Sequence, residues 1–93
     1  MERRYGKFIW DADKEELNIA KHGIDFTTAA KAFLDPERKI FTDSIHGEEE
    51  PRYFCVGMAD GRIITVRFTY REEHIRIFGA GYWRKGRGYY EKE

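Results

Sequence analysis

The spacing of apolar and polar residues in the first part of the chain predicts one short strand followed by two helices. The apolar run KFIW, residues 7–10, predicts the strand. In the segment DKEELNIAKHG, Asp11 or Asp13 can cap the first turn, and Gly23 stands where a helix often ends in a left-handed residue. The segment DFTTAAKAFLDP has apolar residues at helical spacing, and Pro36 ends it. We therefore expect a helical hairpin joined by the short link HGI.

Beyond residue 36 the period changes to two, which predicts strands. The segments KIFTD, RYFCVGM, RIITVRFTY and HIRIFGA read as four strands, and the dipeptide DG between the second and third is a hairpin turn. In the third strand Ile64, Val66 and Phe68 point to one side of the sheet, and the polar residues between them point to the other. After Gly79 the pattern is lost, and the glycines make a stable helix unexpected before about residue 88.

These elements predict the fold class. Residues 1–93 form a single α+β domain, in which two N-terminal helices pack on an antiparallel β-sheet meander. The length fits one domain, and the 41% hydrophobic and 16% aromatic residues are enough for a core. Leu17 and Ala20 are expected on the buried side of the first helix, and Phe26, Phe33 and Leu34 on that of the second.

Composition then narrows the class of protein. No apolar run approaches the roughly 18 residues of a membrane span, and the N-terminus lacks the apolar stretch of a signal peptide. The single Cys55 cannot form an internal disulfide, so we expect a cytoplasmic protein. The net charge is zero, but residues 1–50 carry a net −4 and residues 51–93 a net +4. A local anion-binding surface is therefore compatible with the neutral whole, although both halves could equally be ordinary solvated surface.

The residue types exclude several chemistries. The three histidines have no spacing to each other or to Cys55 that is typical of a metal site, and we expect no metal and no cofactor. Cys55 lies within a predicted strand, which favours a buried small hydrophobe over a reactive thiol. No nucleophile elbow, phosphate-binding loop or dinucleotide fingerprint is present.

An arginine-rich sheet surface remains. Arg67, Arg71 and Arg76 lie on adjacent predicted strands and can converge with His74 on one face. Guanidinium groups suit phosphate, because each donates two parallel hydrogen bonds to its oxygens. The alternative is that these arginines form salt bridges with neighbouring acids, as such faces often do.

The loop HGEEEPR adds an imidazole, carboxylates and another guanidinium. His46, Glu49 and Arg52 lie within seven residues. These are the parts of a metal-free ribonuclease, in which one group takes the proton of the 2′-hydroxyl, another protonates the leaving oxygen, and arginines hold the phosphate.

The tail GYWRKGRGYY interleaves aromatic and basic residues. Tyr82, Trp83, Arg84 and Lys85 could grip single-stranded RNA, because bases stack on aromatic rings while cations hold phosphates. Two other interpretations stay open. The tail could be an apolar edge packed on the sheet, or an edge that binds a protein.

The order and spacing of short motifs resemble the BrnT toxin family over residues 8 to about 81. The opening signature consists of Trp10, Asp11, Lys14, Asn18, Lys21, His22, Gly23, Phe26, Ala29, Ala30, Phe33, Asp35 and Pro36. The second half is matched by Glu48 to Glu50, Arg52, Tyr53, Gly57, Thr69, Arg71 and the strand of Ile75 to Ile77. One departure stands out: many members have Ser-Ala-Arg where this chain reads Gly79-Ala80-Gly81, so the arginine expected at position 81 is missing.

The resemblance implies a RelE-like fold and a ribonuclease toxin of a type II toxin–antitoxin pair. Its partners would be an RNA substrate and a tight, BrnA-like antitoxin that also binds operator DNA, with no membrane and with a higher-order complex possible. Our leading hypothesis is a metal-independent endoribonuclease that cleaves RNA and inhibits translation. The candidate catalytic residues are Arg52, Arg71, Arg76, His46 and Glu49. The candidate RNA-binding residues are Lys21, His22, Arg67, Tyr82, Trp83, Arg84 and Lys85.

Two alternatives lack catalysis. In one, the domain captures an antitoxin or another partner, which the missing arginine at position 81 favours. In the other, it is a stand-alone RNA-binding domain that uses its tail.

Overall fold

The computed structural model describes residues 1–45 and 49–92. The strands are β1 (Glu2–Tyr5), β2 (Phe8–Asp11), β3 (Lys39–Asp43), β4 (Arg52–Ala59), β5 (Arg62–Arg71) and β6 (His74–Gly81). The helices are α1 (Ala12–His22), α2 (Phe26–Lys31) and α3 (Arg84–Glu91), and a single 3₁₀ turn (Ala32–Leu34) continues α2. The six strands form one sheet in the order β1-β2-β6-β5-β4-β3.

This architecture corrects the predicted fold class. The chain does not begin with two helices packed on an antiparallel meander, because the hairpin β1–β2 precedes them and belongs to the same sheet. Strand β2 lies parallel to β6, with Phe8 opposite Ile75 and Trp10 opposite Ile77, so the sheet is mixed. The helices α1 and α2 are therefore part of the crossover that a parallel pair requires.

The predicted fold lacked β1 near the N-terminus and α3 near the C-terminus, and each omission has a physical reason. All four residues of β1 are exposed, so this strand has no alternation of apolar and polar side chains that could have revealed it. At the other end α3 forms from residue 84, although its glycines argued against a helix there. A Cβ on Gly86 would lie 1.8 Å from Oγ1 of Thr65, so this glycine lets α3 lie directly on β5.

The bounds of α1 follow from its caps. The Asp11 side chain accepts a hydrogen bond from the Lys14 amide at 3.1 Å, and this bond lowers the pKa of its carboxyl. Gly23 ends the helix with φ of 70°, and its amide donates to the Ile19 carbonyl. The predicted buried face was wrong, because Leu17 is 67% exposed.

The hydrophobic core lies between one face of the sheet and the helices α1 and α2 with the 3₁₀ turn. Phe26, Phe68 and Ile77 are fully buried there, whereas Leu34, which we expected to face the core, is exposed. A Cβ on Gly57 would lie 2.3 Å from the Ala32 carbonyl oxygen, so glycine is required at this position of β4 for the 3₁₀ turn to pack.

We call the face of the sheet that packs against α1, α2 and the 3₁₀ turn the covered face. Two buried polar side chains of α1 lie on it. Glu15 accepts hydrogen bonds from Trp10 Nε1 at 3.0 Å, from the Phe26 amide at 2.9 Å and from Arg3 at 2.5 Å. The Asn18 side chain donates to the Ile24 carbonyl at 2.9 Å and accepts from the Ala80 amide at 3.0 Å. Because β6 runs on beyond the last residue of β2, Asn18 supplies the acceptor that a neighbouring strand would otherwise provide.

On the opposite face of the sheet, α3 covers the β3–β4 end and is held there at its last turn. The Tyr90 hydroxyl donates to Asp35 at 2.6 Å, and Lys39 donates to the carbonyls of Tyr89 and Lys92. The hydrogen bond between Tyr90 and Asp35 lowers the pKa of Asp35 and raises the pKa of Tyr90 to about 12.

None of the helices in the described ranges is long and apolar enough to cross a bilayer.

Candidate functional site

The part of this second face that α3 leaves uncovered carries a group of basic side chains, which we call the arginine face. It consists of Arg52 on β4, Arg67 and Arg71 on β5, and His74 and Arg76 on β6. In the β5–β6 register Arg71 is opposite His74 and Thr69 is opposite Arg76, and on the other side Arg67 is opposite Phe54. Paired residues share a face with Cβ atoms about 5 Å apart, and diagonal neighbours are about 7–8 Å apart. The guanidinium groups are therefore close enough to act on one substrate.

Two of these arginines have carboxylate partners. Arg71 pairs with Glu50 at 3.2 Å, and Arg76 pairs with Glu2 at 3.5 Å. One member of each pair is well exposed, Arg71 at 47% and Glu2 at 53%, whereas Glu50 is 32% exposed and Arg76 19%, so both pairs are only partly buried. Pairs of this kind contribute little to stability, and a phosphate can compete for the guanidinium.

The other two stand against aromatic rings instead. The guanidinium carbon of Arg52 lies 4.2 Å from the centroid of Phe78, and that of Arg67 lies 6.0 Å from Trp83. On the same Phe78 ring stands Lys14 of α1, with Nζ 5.1 Å from the centroid. Within residues 1–45 and 49–92, none of these three cations forms an ion pair.

Glycines in β6 make room for this arrangement. A Cβ on Gly79 would lie 2.8 Å from Nη2 of Arg67, and one on Gly81 would lie 2.8 Å from two carbons of the Trp83 indole. The space beside residue 81, where the resemblance expects an arginine, is therefore filled by the Trp83 ring. A cation on this face is supplied from the neighbouring strand by Arg67, whose guanidinium lies over Gly79.

Trp83 connects the arginine face to a cleft at the start of α3. His22 contacts the indole edge-on, with ring centroids 5.6 Å apart. The cleft has a volume of about 340 Å³ and is lined in part by Arg62, Tyr82, Trp83 and Arg84. The guanidinium of Arg62 stacks on Tyr82 at 3.7 Å. The cleft thus combines aromatic surfaces with cations.

The structure brings together only some of the residues predicted to bind RNA. His22 and Arg67 each lie against Trp83, and Tyr82 and Arg84 line the cleft that Trp83 borders. In contrast, Lys21 is exposed at the end of α1, and Lys85 lies over Tyr89, 6.0 Å from its ring centroid.

The predicted proton-transfer residues lie in the loop before β4. His46 is outside the described residues. Glu49 is exposed and lies three residues before Arg52. The roles assigned to both remain predictions.

A cysteine nucleophile and a metal site have less support than the arginine face. Cys55 is fully buried as predicted, and burial raises the pKa of its thiol to about 12, so it is not a nucleophile near neutral pH. Within the described ranges, no group of three or more His, Cys, Asp and Glu side chains could hold a metal ion.

Three residues of this region were not identified as functional from the sequence: Lys14, Arg62 and Phe78. Phe78 is the residue at which the β5–β6 register shifts, since Phe68 pairs with Ile77 and Arg67 pairs with Gly79. Such a bulge carries no signal in an alternating pattern. Lys14 did have a signal in the sequence, because it stands four residues before Asn18 and eight before His22 and so lies on the same side of α1.

Comparison with known proteins adds an independent finding. A family model described as "Ribonuclease toxin, BrnT, of type II toxin-antitoxin system" matches residues 10–86, most of the chain. No curated protein matches the chain.

Proposed function

Because the chain belongs to the BrnT family of ribonuclease toxins of type II toxin–antitoxin systems, we propose that it is a metal-independent endoribonuclease that cleaves RNA on the arginine face and thereby inhibits translation. A toxin of this kind has an RNA target and an antitoxin partner. The observation that carries the proposal is the open sheet face on which four arginines stand on three adjacent strands.

The arginines supply the charge stabilisation. Arg52 and Arg67 have no carboxylate partner in the described part of the chain and can take phosphate oxygens without breaking an ion pair. Arg71 and Arg76 can join them once phosphate displaces Glu50 and Glu2. Guanidinium donors fixed around the phosphate stabilise the negative charge that builds up in the transition state, which is the contribution a metal would otherwise make.

The bond changes follow from the substrate. The 2′-hydroxyl oxygen attacks the adjacent phosphorus and the 5′-oxygen leaves, so that a cyclic phosphate and a new 5′-hydroxyl form. His46 and Glu49 are our candidates for taking the first proton and delivering the second. The exposed position of Glu49 beside the start of β4 is compatible with either role.

The RNA strand continues past the scissile phosphate over Trp83. The indole and Tyr82 offer surfaces for stacked bases, and Arg67 and Arg84 offer cations for the phosphates. The His22 imidazole, edge-on to the indole, lies beside this path. Lys21 and Lys85 stand farther from this path and are the weakest of the proposed RNA contacts.

We propose a BrnA-like, DNA-binding antitoxin as the partner, with a higher-order complex as a possible form of the pair, and the cytoplasm as the place of action. These assignments follow from the family alone. An antitoxin that covers the arginine face would block RNA directly.

The experiment is RNA cleavage by the purified, antitoxin-free protein in the presence of EDTA. We expect cleavage by the native chain, loss of about 100-fold in the double variant Arg71→Ala, Arg76→Ala, and full activity in Lys31→Ala. Lys31 is a matched control, because its ion pair with Asp60 also lies on the surface but away from the arginine face. Cleavage that EDTA abolishes, or that the double variant retains, would contradict the proposal.

The alternative is a non-catalytic module that binds an antitoxin or RNA. The carboxylates on Arg71 and Arg76 favour it, because they neutralise two of the four arginines in the isolated chain. Binding of RNA by the native chain without any cleavage product would select this alternative.

A further inference from the structure

We propose that Lys14 and Arg52, which both lie against the Phe78 ring, form a subsite for a backbone phosphate of the RNA next to the one that is cleaved. The proposal rests on the ribonuclease function proposed above. It gives Lys14, which is neither a predicted catalytic nor a predicted RNA-binding residue, a direct contact with the substrate.

The position of Lys14 is built into α1. Lys14, Asn18 and His22 follow one another at one-turn intervals, so they share one side of the helix. Lys14 contacts the Phe78 ring, Asn18 accepts from the Ala80 amide, and His22 contacts the Trp83 ring. These three partners also follow one another along the chain. Asn18 is the buried member of the stripe, and its hydrogen bond to Ala80 sets where the other two lie.

Phe78 is available to both cations because of the bulge in β6. The register shift leaves Phe78 without a partner on β5, and its ring contacts both Lys14 of α1 and Arg52 of β4. A ring of this kind holds cations by its quadrupole without neutralising them. The two charges are therefore held in position, and within residues 1–45 and 49–92 neither forms an ion pair.

No acid in the described part of the chain takes up this charge. Asp43 lies opposite Arg52 in the register, but its carboxylate accepts from the Ile45 amide at 3.0 Å and makes no ion pair with Arg52. Asp11 accepts from the backbone of Lys14, not from its ammonium group. Two cations that lie against one ring, the exposed Lys14 and the half-buried Arg52, suit an anion, and phosphate oxygens can accept from both.

The subsite is assigned to RNA because of its neighbours. Arg52 belongs to the arginine face, and Lys14 begins the helical stripe that ends at His22, where the aromatic cleft begins. The cations thus mark a path from Phe78 past Arg67 to Trp83, which combines charges for the phosphates with rings for stacked bases, as single-strand binding does.

The test measures binding of a 2′-O-methyl RNA oligonucleotide, which cannot be cleaved, over a range of salt concentrations. We expect Lys14→Gln to weaken binding about tenfold at low salt. The slope of log affinity against log salt should also fall by about 0.7, the value for one phosphate contact on a single strand. Lys14→Arg should retain most of the affinity and the slope. Lys7→Gln is the matched control, since Lys7 is an exposed lysine in the β1–β2 turn, before the start of β2, and belongs to neither site.

The outcomes separate this proposal from the ribonuclease function. Native cleavage with unchanged affinity and slope in Lys14→Gln would overturn the subsite alone, and so would a loss equalled by Lys7→Gln. Loss of affinity and slope in a native chain that does not cleave RNA would support the subsite and overturn catalysis. A native chain that does not bind the oligonucleotide would overturn both, and an effect of Lys14→Gln on antitoxin affinity only would assign the cations to the antitoxin.

Discussion

The two faces of the sheet differ in whether their charged and polar side chains are already fully hydrogen-bonded within the protein. On the covered face, Glu15 and Asn18 are buried and each is satisfied by donors or acceptors with fixed positions. On the arginine face, Arg52 and Arg67 rest against aromatic rings, Arg71 pairs with the half-buried Glu50, and Arg76 pairs with the exposed Glu2. The first arrangement determines structure, whereas the second leaves charge available to a ligand.

The difference also explains what the family motif encodes. Asp11 caps α1, Gly23 ends it, Asn18 satisfies the edge of β6 and Trp10 donates to Glu15. The opening signature is therefore mostly a description of the covered face. Within it, the Lys14 side chain contacts the Phe78 ring of β6, and His22 contacts the ring of Trp83, the residue before α3.

The largest effect should come from removing the charge on the covered face. Glu15→Ala leaves the Trp10 indole N–H and the Phe26 amide buried without an acceptor, so we expect a loss of about 3 kcal/mol in the free energy of unfolding. Denaturant titration measures it, with Glu16→Ala as the control, because Glu16 is the exposed neighbour on the same helix. Equal losses in the two variants would mean that the hydrogen bonds of Glu15 do not determine structure.

The corresponding change on the arginine face should affect activity and not stability. Arg67→Ala removes the guanidinium over Gly79, and we expect cleavage to fall about 100-fold. The free energy of unfolding should change by less than about 0.5 kcal/mol, as for other exposed positions. Arg67→Lys keeps the charge but not the planar pair of donors, so it should restore part of the activity. If Arg67→Ala unfolds the protein as readily as Glu15→Ala, the contrast between the faces is wrong.

Local signals in the sequence were sufficient for much of the fold. Asp11 and Gly23 mark the two ends of α1 correctly, because capping depends only on residues within one turn. The DG dipeptide forms the predicted hairpin turn, with φ of 50° at Asp60 and 79° at Gly61.

What the sequence did not reveal depends on partners far along the chain. Strand β1 has no apolar face of its own and pairs only because β2 is already in the sheet. The position of α3 depends on the fit of Gly86 over Thr65 and on the bond from Tyr90 to Asp35, fifty-five residues earlier. The same applies to the site, where Lys14 and Arg52 meet on Phe78 only because of a bulge.

A smaller effect concerns α3, which lies on the same face of the sheet as the arginines but is attached by a defined contact. Tyr90→Phe removes the hydroxyl that donates to Asp35, and we expect a loss of less than about 1 kcal/mol, since the pair is only partly buried. Tyr89→Phe is the control, because the Tyr89 ring packs on Phe41 and Phe retains that contact.

The pH dependence of this loss follows from the two pKa shifts. The hydroxyl lowers the pKa of Asp35, so its contribution is present above the ordinary value near 4 and disappears as the pH falls through the lowered pKa. The pKa of Tyr90 is raised to about 12, so the contribution is present below about 10 and disappears as the pH rises through 12. A difference between Tyr90→Phe and the native chain that persists unchanged in strong acid would contradict this account.

The smallest effect should come from the carboxylates on the arginine face, and its sign is opposite to that of the others. Glu2→Gln and Glu50→Gln free Arg76 and Arg71, so RNA affinity should rise about two- to fivefold, as expected for exposed pairs worth 0.2–1 kcal/mol. Asp60→Asn removes the same charge from the Lys31 pair away from the site, and it controls for the general effect of a more positive protein. If the glutamate variants gain no more affinity than Asp60→Asn, then Arg71 and Arg76 do not contact RNA. A loss of affinity would instead show that the glutamates orient the arginines, and the open face would then resemble the covered one.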